Sequence, residues 1–125
     1  MTPSIFNAVN VPAVQAVLKT GTGPLRFYMF GLAPKEKVYP YAVWAVTGGR
    51  PENYVQGAPD TDDYSIQIDV YASPDQGPSV ARNALEKIQT AIESVAYVTS
   101  YLGEDRDPET LVWATGIVVD WIENR

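Results

Sequence analysis

Carboxylates are the main side chains in this sequence that could perform acid–base chemistry or hold a metal ion. They gather in two clusters, one made of Asp60, Asp62 and Asp63, the other made of Glu104, Asp105, Asp107 and Glu109. Such groups could bind calcium or serve as the acid and base of a glycoside hydrolase. Neither cluster has the calcium-loop spacing with its central glycine and terminal glutamate, and acidic runs in loops are usually solvated. We therefore predict no metal, no cofactor and no catalytic residue. A calcium or small-ligand site in the second cluster, here called the acidic hairpin, stays as the alternative.

Other kinds of catalytic machinery are missing from the sequence itself. It contains no histidine and no cysteine, which removes the commonest general base, the commonest transition-metal ligands and the thiolate nucleophile. It has no serine elbow flanked by glycines and no glycine-rich run followed by lysine that could cradle a phosphate. We therefore predict that the protein is not an enzyme.

Length and charge restrict the remaining classes. The 125 residues suit one domain, which we expect to span residues 1–125. The net charge of −6 repels phosphate backbones, so binding to nucleic acid for its own sake is not expected. The sequence shows neither a signal peptide nor an apolar run of about 20 residues that could span a bilayer. We expect a soluble protein that is made in the cytosol and does not contact a membrane.

Hydrophobic periodicity predicts the elements that position these side chains. Apolar residues at helical spacing indicate a helix over Val11–Lys19, preceded by a turn or two around Ile5–Val9, and a longer amphipathic helix over 78–94. Strands are predicted over the ranges 26–32, 41–47, 64–71, 97–102 and 111–122. The last of these exceeds the usual strand length, which suggests a bulge or a bend, with Gly116 as the candidate position. Residues Arg50–Asp63 are predicted to form a long loop, and Gly103–Glu109 an acidic turn. The predicted fold class is α+β, with two helices packed on a mostly antiparallel, twisted sheet of about five strands.

One carboxylate lies apart from both clusters. Asp69 falls in the middle of the clearest strand, on its polar face, because Ile66, Ile68 and Val70 occupy the other face. A catalytic role would require a partner that the sequence does not identify. We interpret Asp69 as a carboxylate that faces solvent or an interface.

Three motifs resemble one known family. Residues 39–44 (YPYAVW), 49–54 (GRPENY) and 65–72 (SIQIDVYA) are similar to those of the tail-completion or tail-terminator proteins of long-tailed bacteriophages, in the same order and between similar helices. The resemblance implies a ring, often a hexamer, on the head-proximal end of the tail tube. Such a ring stops tube polymerisation and presents a surface to the head connector. A neck or head-completion protein is the alternative from the same virion context.

The resemblance also implies partners and sites. Expected partners are further copies of the chain, the tail tube protein and the head-to-tail connector protein, with DNA only passing through the lumen. We expect the protein in the virion tail, assembled in the bacterial cytoplasm. The predicted oligomer or partner interface consists of Arg50, Glu52, Asn53, Tyr54 and Gln56. Acids expected to face the lumen or a partner are Asp60, Asp62, Asp63 and Asp69.

Overall fold

The computed structural model describes residues 4–51 and 61–124. Within these ranges the helices are α1 (Ile5–Val9), α2 (Pro12–Leu18) and α3 (Pro78–Ile92). The strands are β1 (Phe27–Met29), β2 (Tyr41–Pro51), β3 (Thr61–Ala72), β4 (Ala96–Arg106) and β5 (Trp113–Asn124). No helix in the described part of the chain is both long and apolar enough to cross a bilayer.

The strands form one sheet in the order β1-β2-β3-β5-β4. β1 runs parallel to β2, and the other neighbours pair antiparallel. This arrangement confirms the predicted α+β class and the mostly antiparallel sheet. The sequence also located both ordered N-terminal helical segments, which are separated near Asn10 as expected.

The helices cover one face of the sheet because both layers have an apolar side to bury. β3 contributes Ile66, Ile68 and Val70, all fully buried. α3 begins at Pro78, where proline is tolerated in the first turn, and its buried side chains are Ala81, Ala84, Leu85, Ile88 and Ile92. α1 and α2 join the same core through Ile5, Val9, Val14 and Leu18.

Arg26 connects the helical layer to the edge of the sheet. Its guanidinium donates hydrogen bonds to the Pro40 carbonyl (2.8 Å), the Thr20 hydroxyl (2.8 Å) and the Val17 carbonyl (3.4 Å). The side chain is only 8% exposed, and this burial lowers the pKa of Arg26. The end of α2 and the start of β2 are therefore joined by one cation.

Several predicted element bounds were wrong. The predicted Arg50–Asp63 loop was wrong at both ends, because β2 continues through Pro51 and β3 already begins at Thr61. Backbone pairing of Arg50 with Asp63, and of Asp63 with Ile122, holds these polar residues in strands. Residues 52–60 lie outside the described residues. β4 likewise extends to Arg106, so the acidic hairpin starts in a strand instead of a turn.

The predicted bulge at Gly116 was also wrong. β5 pairs with β3 without interruption, from Trp113 opposite Ala72 to Asn124 opposite Thr61. The register shifts lie instead in β4, between Val98 and Ser100 and between Tyr101 and Gly103, and in β2, between Val46 and Gly48. The long central strands β3 and β5 pair with each other without interruption, so the irregularities fall in the strands that flank them.

Candidate assembly surface

The face of the sheet opposite the helices carries the candidate functional residues, and we call it the open face. Side chains alternate along a strand, so residues that pair across strands share a face. Tyr41 pairs with Tyr71, Val43 with Asp69, and Ala45 with Gln67. On the other side of β3 the same face continues through residues Ala114, Gly116, Val118 and Asp120. The open face therefore mixes polar, aromatic and small apolar residues, whereas the core face is apolar and includes the buried rings of Trp44 and Trp121.

Asp69 lies at the centre of the open face. Its carboxylate accepts hydrogen bonds from Gln67 Nε2, at 3.0 Å to Oδ2 and 3.3 Å to Oδ1. It lies directly over Gly116, since a Cβ atom there would be 2.6 Å from Asp69 Oδ1. The same Cβ would be 3.1 Å from Leu102 Cδ1. The glycine thus provides the space that the carboxylate occupies.

The surroundings of Asp69 disfavour its charge. Partial burial raises the pKa of the Asp69 carboxyl, and the hydrogen bond from Gln67 opposes this shift only in part. Burial also raises the pKa of Tyr71, with the Asp69 charge as the second cause. Within residues 4–51 and 61–124, the causes of these two shifts are burial, the Gln67 hydrogen bond and the Asp69 charge, and none of them is a cationic side chain.

A cluster of tyrosines adjoins Asp69. Tyr41 stacks on Tyr71 with ring centroids 5.1 Å apart, and Tyr39 and Tyr28 lie 5.3 and 6.3 Å from Tyr41. Burial raises the pKa of Tyr41 to about 12. Three of the rings, those of residues 39, 41 and 71, line a cleft of about 430 Å³ whose other wall includes Asp105 and Asp107. Tyrosine combines apolar area with a polar group, a combination that is common in protein interfaces.

The acidic hairpin has structural partners. Glu104 forms a two-point ion pair with Arg82 of α3, at 2.5 and 2.8 Å, and this contact lowers the pKa of Glu104. The Asp107 carboxylate accepts the backbone N–H groups of Glu109 and Thr110, which lowers the pKa of Asp107. Across residues 4–51 and 61–124, no three His, Cys, Asp or Glu side chains are grouped so that they could hold a metal ion. The described acids of the hairpin thus close a turn and connect β4 to the helical layer.

The predicted site residues fall in two separate places. Arg50, Asp62 and Asp63 belong to the paired ends of β2 and β3, where Arg50 lies opposite Asp63. Asp69 is six residues further along β3, about 20 Å away at strand spacing. Glu52, Asn53, Tyr54, Gln56 and Asp60 lie outside the described residues.

Sequence reasoning missed the tyrosine cluster. Tyr39, Tyr41 and Tyr71 come from two segments about 30 positions apart, and only the β2–β3 register brings them together. The signal available in the sequence was the alternation of side chains along each strand. It places Tyr41 and Tyr71 on the face of the sheet opposite to that of Trp44 and Val70. The same alternation places Gln67, the hydrogen-bond donor to Asp69, on the face of Tyr71.

Comparisons with known proteins agree with this architecture. A family model described as tail completion protein gp17 matches residues 6–122. Among solved structures, a chain of "Virion of native gene transfer agent (GTA) particle" is similar with a TM-score of 0.66 at 12% identity, over 97% of this chain and 92% of that chain. At that identity the likeness shows the fold alone. The comparison with curated proteins gives no match. Because the family model spans nearly the whole chain, this protein belongs to the tail completion protein gp17 family and is a structural, non-enzymatic component of the phage virion tail.

Proposed function

We propose that the protein is a tail terminator that caps the head-proximal end of the tail tube as a homo-oligomeric ring, with six copies as the expected number. The ring stops tube polymerisation and offers its outer surface to the head connector. The observation that carries this proposal is the match to the tail completion family over residues 6–122. The gene transfer agent chain supports it further, since a chain of the same fold belongs to a phage-like virion.

The open face supports a role in assembly. The half-buried ring of Tyr71 stacks on Tyr41, itself only 9% exposed, beside the partly buried Asp69, and the described helices pack on the other side of the sheet. Aromatic side chains that combine apolar area with a polar group are enriched where proteins bind each other. A partner that approaches this face could supply a cationic group beside the Asp69 carboxylate, which within the described residues accepts its hydrogen bonds from Gln67.

Charge supports a DNA-conducting ring. The chain carries fifteen acids against nine Lys and Arg residues, so a lumen of the same sign would repel the DNA backbone and let it pass without sticking. We assign Asp60, Asp62, Asp63 and Asp69 to surfaces that face the lumen or a partner. The predicted contact residues Arg50, Glu52, Asn53, Tyr54 and Gln56 remain the proposed oligomer or partner interface.

The test of the proposed function is the mass of the protein in solution by light scattering, together with negative-stain images with and without purified tail tubes. We expect rings, either free or only at tube ends. A protein that stays monomeric and ignores tube ends would contradict the proposal. Binding to isolated connectors but not to tubes would instead indicate a neck protein.

A double variant tests the predicted contact residues. Arg50→Ala with Tyr54→Ala should leave the fold intact and impair tube capping, because it removes one cation and one aromatic ring from the proposed interface. The matched control is Lys87→Ala with Phe6→Ala, which removes the same two kinds of group from exposed helix positions. Normal tube lengths with the first variant would refute the assignment of Arg50 and Tyr54.

A further inference from the structure

Two exposed apolar surfaces lie at opposite edges of the sheet, and we propose that they join neighbouring copies of the ring. In this arrangement Phe30 and Leu32 of one copy insert into the groove between α3 and β4 of the next copy. The inference rests on the proposed ring and identifies the contact that closes it.

The first surface is the loop that follows β1. Phe30 is 74% exposed and Leu32 is 69% exposed, while Val38 at the far end of the loop is 59% exposed. The turn is fixed by hydrogen bonds from the Phe30 N–H to the Trp44 carbonyl and from the Leu32 N–H to the Met29 carbonyl. Gly31 adopts a positive φ of 84°, which favours glycine and lets the chain turn between the two apolar residues. The loop thus holds large apolar side chains in solvent on a hydrogen-bonded backbone.

The second surface is the groove between α3 and β4. One part has a volume of about 310 Å³ and an apolar floor that includes Ile92, Ala96 and Val98. The adjoining part has a volume of about 340 Å³ and extends to Leu85 and Glu104. Tyr101 lines both parts and is 71% exposed, although its hydroxyl accepts a hydrogen bond from Gln89. The groove therefore has the apolar floor and aromatic rim that a phenylalanine or leucine side chain would fill.

Topology places these two surfaces where a ring requires them. β1 and β4 are the two edge strands of the five-stranded sheet, separated by four strand spacings or about 19 Å. A ring closes through head-to-tail contacts between two different, complementary patches, whereas a two-fold dimer pairs one patch with itself. A projecting loop at one edge and a groove at the other meet this condition.

Charge complementarity identifies the occupant of the groove as a second copy. The loop after β1 carries Lys35 and Lys37 against one acid, Glu36, and all three are exposed. The groove is lined by three glutamates against one arginine, and that arginine, Arg82, is already paired with Glu104. The remaining acids, Glu86 on α3 and Glu93 directly after its last residue, are exposed. Opposite charges at the rim would favour the encounter of loop and groove and would fix their orientation.

A pair of variants separates the two surfaces. Phe30→Asp disables the loop and Tyr101→Asp disables the groove; both positions are exposed, so folding should be unaffected. Each variant alone should self-associate at least about 30-fold more weakly than wild type, as expected for a hot-spot residue. An equimolar mixture should form dimers but no rings, because each copy keeps one working surface. Phe6→Asp, a charge placed on an exposed phenylalanine outside both surfaces, is the matched control and should assemble normally.

Sedimentation velocity and electron microscopy, alone and with purified tail tubes, give the readout, and thermal unfolding of each variant verifies the fold. If wild type and both variants form the same rings, the proposed contact is wrong, while the proposed ring itself is supported. A wild-type chain that never forms rings, even on tubes, would overturn both proposals.

Cysteine pairs provide a second measurement, since the natural chain has no cysteine. The double variant Leu32→Cys with Glu93→Cys should form a covalent ladder up to the full ring on oxidation, and each single variant should stay uncrosslinked. Dimers of a single variant, or no ladder from the double variant, would contradict the proposed contact.

Discussion

The two faces of the sheet are built by the same strands but have different surroundings. Along β3, Ile66 and Ile68 are fully buried beneath the helices, while the alternating residues Gln67 and Asp69 remain partly exposed on the open face. Backbone pairing is the same for both sets, because each residue of β3 has neighbours in β2 and β5 across this stretch. The difference therefore lies in what covers the side chains.

This contrast separates stability from binding. Full burial of an isoleucine side chain contributes about 1.5–3 kcal/mol, whereas a partly exposed polar group that is also solvated when unfolded contributes little. The helix-covered face can thus hold the fold while the open face keeps residues that suit a partner. Substitutions placed on opposite faces of one strand measure how complete this separation is.

The largest effect is expected from Ile68→Ala. The substitution leaves a cavity beneath α3 in a core that is fully buried at this point, and should lower the free energy of unfolding by about 2–5 kcal/mol. Gln67→Ala, one residue away on the open face, should lower it by less than about 1 kcal/mol. Urea titration of both variants measures the difference. Equal losses would show that the open face contributes to the fold as much as the core.

Gly116→Ala should have the next largest effect, and it probes how closely the open face is packed. The added Cβ would lie 2.6 Å from Asp69 Oδ1 and 2.8 Å from the Ile68 carbonyl oxygen, so the backbone of β3 must shift. We expect a loss of about 2 kcal/mol, typical of overpacking. Gly48→Ala is the matched control, because nothing lies within 4 Å of a Cβ atom at that position.

Making Gly116→Ala in an Asp69→Ala variant tests which of the two contacts causes the loss of stability. Asp69→Ala removes the carboxylate contact but leaves the Ile68 carbonyl in place, so most of the penalty of Gly116→Ala should persist there. Full relief by Asp69→Ala would show that the carboxylate alone sets the requirement for glycine.

The sequence was most informative where a periodic pattern and burial coincide. β3 and α3 were located from alternation and from an amphipathic stripe, because each buries one side against the other. The ends of β2 and β3 were missed because Arg50, Pro51 and Thr61–Asp63 have the composition of a loop, and only pairing with neighbouring strands holds them extended. The bulges of β4 depend on its position at the edge, which no local pattern reveals.

The candidate surface was predictable only in part, for a similar reason. Asp69 stands out in the sequence because it is a carboxylate on the polar face in the middle of the clearest strand. Its relation to Gly116 and the stacking of Tyr41 on Tyr71 depend on cross-strand register. The ion pair between Arg82 and Glu104 depends on how α3 lies against the sheet. Such contacts join segments that are distant in sequence, so single-sequence patterns do not determine them.

The smallest expected effect is the pH dependence of stability, which should have opposite signs for the carboxylates of Asp69 and Asp107. Burial raises the pKa of Asp69 above the value of about 3.9 for an unfolded chain, so between these two values the folded state binds more protons than the unfolded state. Stability from this group therefore falls as pH rises through that window, and the penalty is complete above the folded pKa. Asp69→Asn should match wild type in acid and exceed it by less than about 1 kcal/mol near pH 7.

Asp107→Asn should behave in the opposite way. Backbone N–H groups of Thr110 and Glu109 lower the pKa of Asp107, so its stabilisation is present above the unfolded value and is lost as pH falls through the folded pKa. The asparagine keeps an acceptor but not the charge, so this variant should be less stable than wild type near pH 7, and the difference should shrink as pH falls. Chemical denaturation of the two variants at pH 3 and pH 7 gives the signs. If Asp69→Asn also lost stability at pH 7, the open face would be stabilising its carboxylate within one chain, and Asp69 would not need a partner to balance its charge.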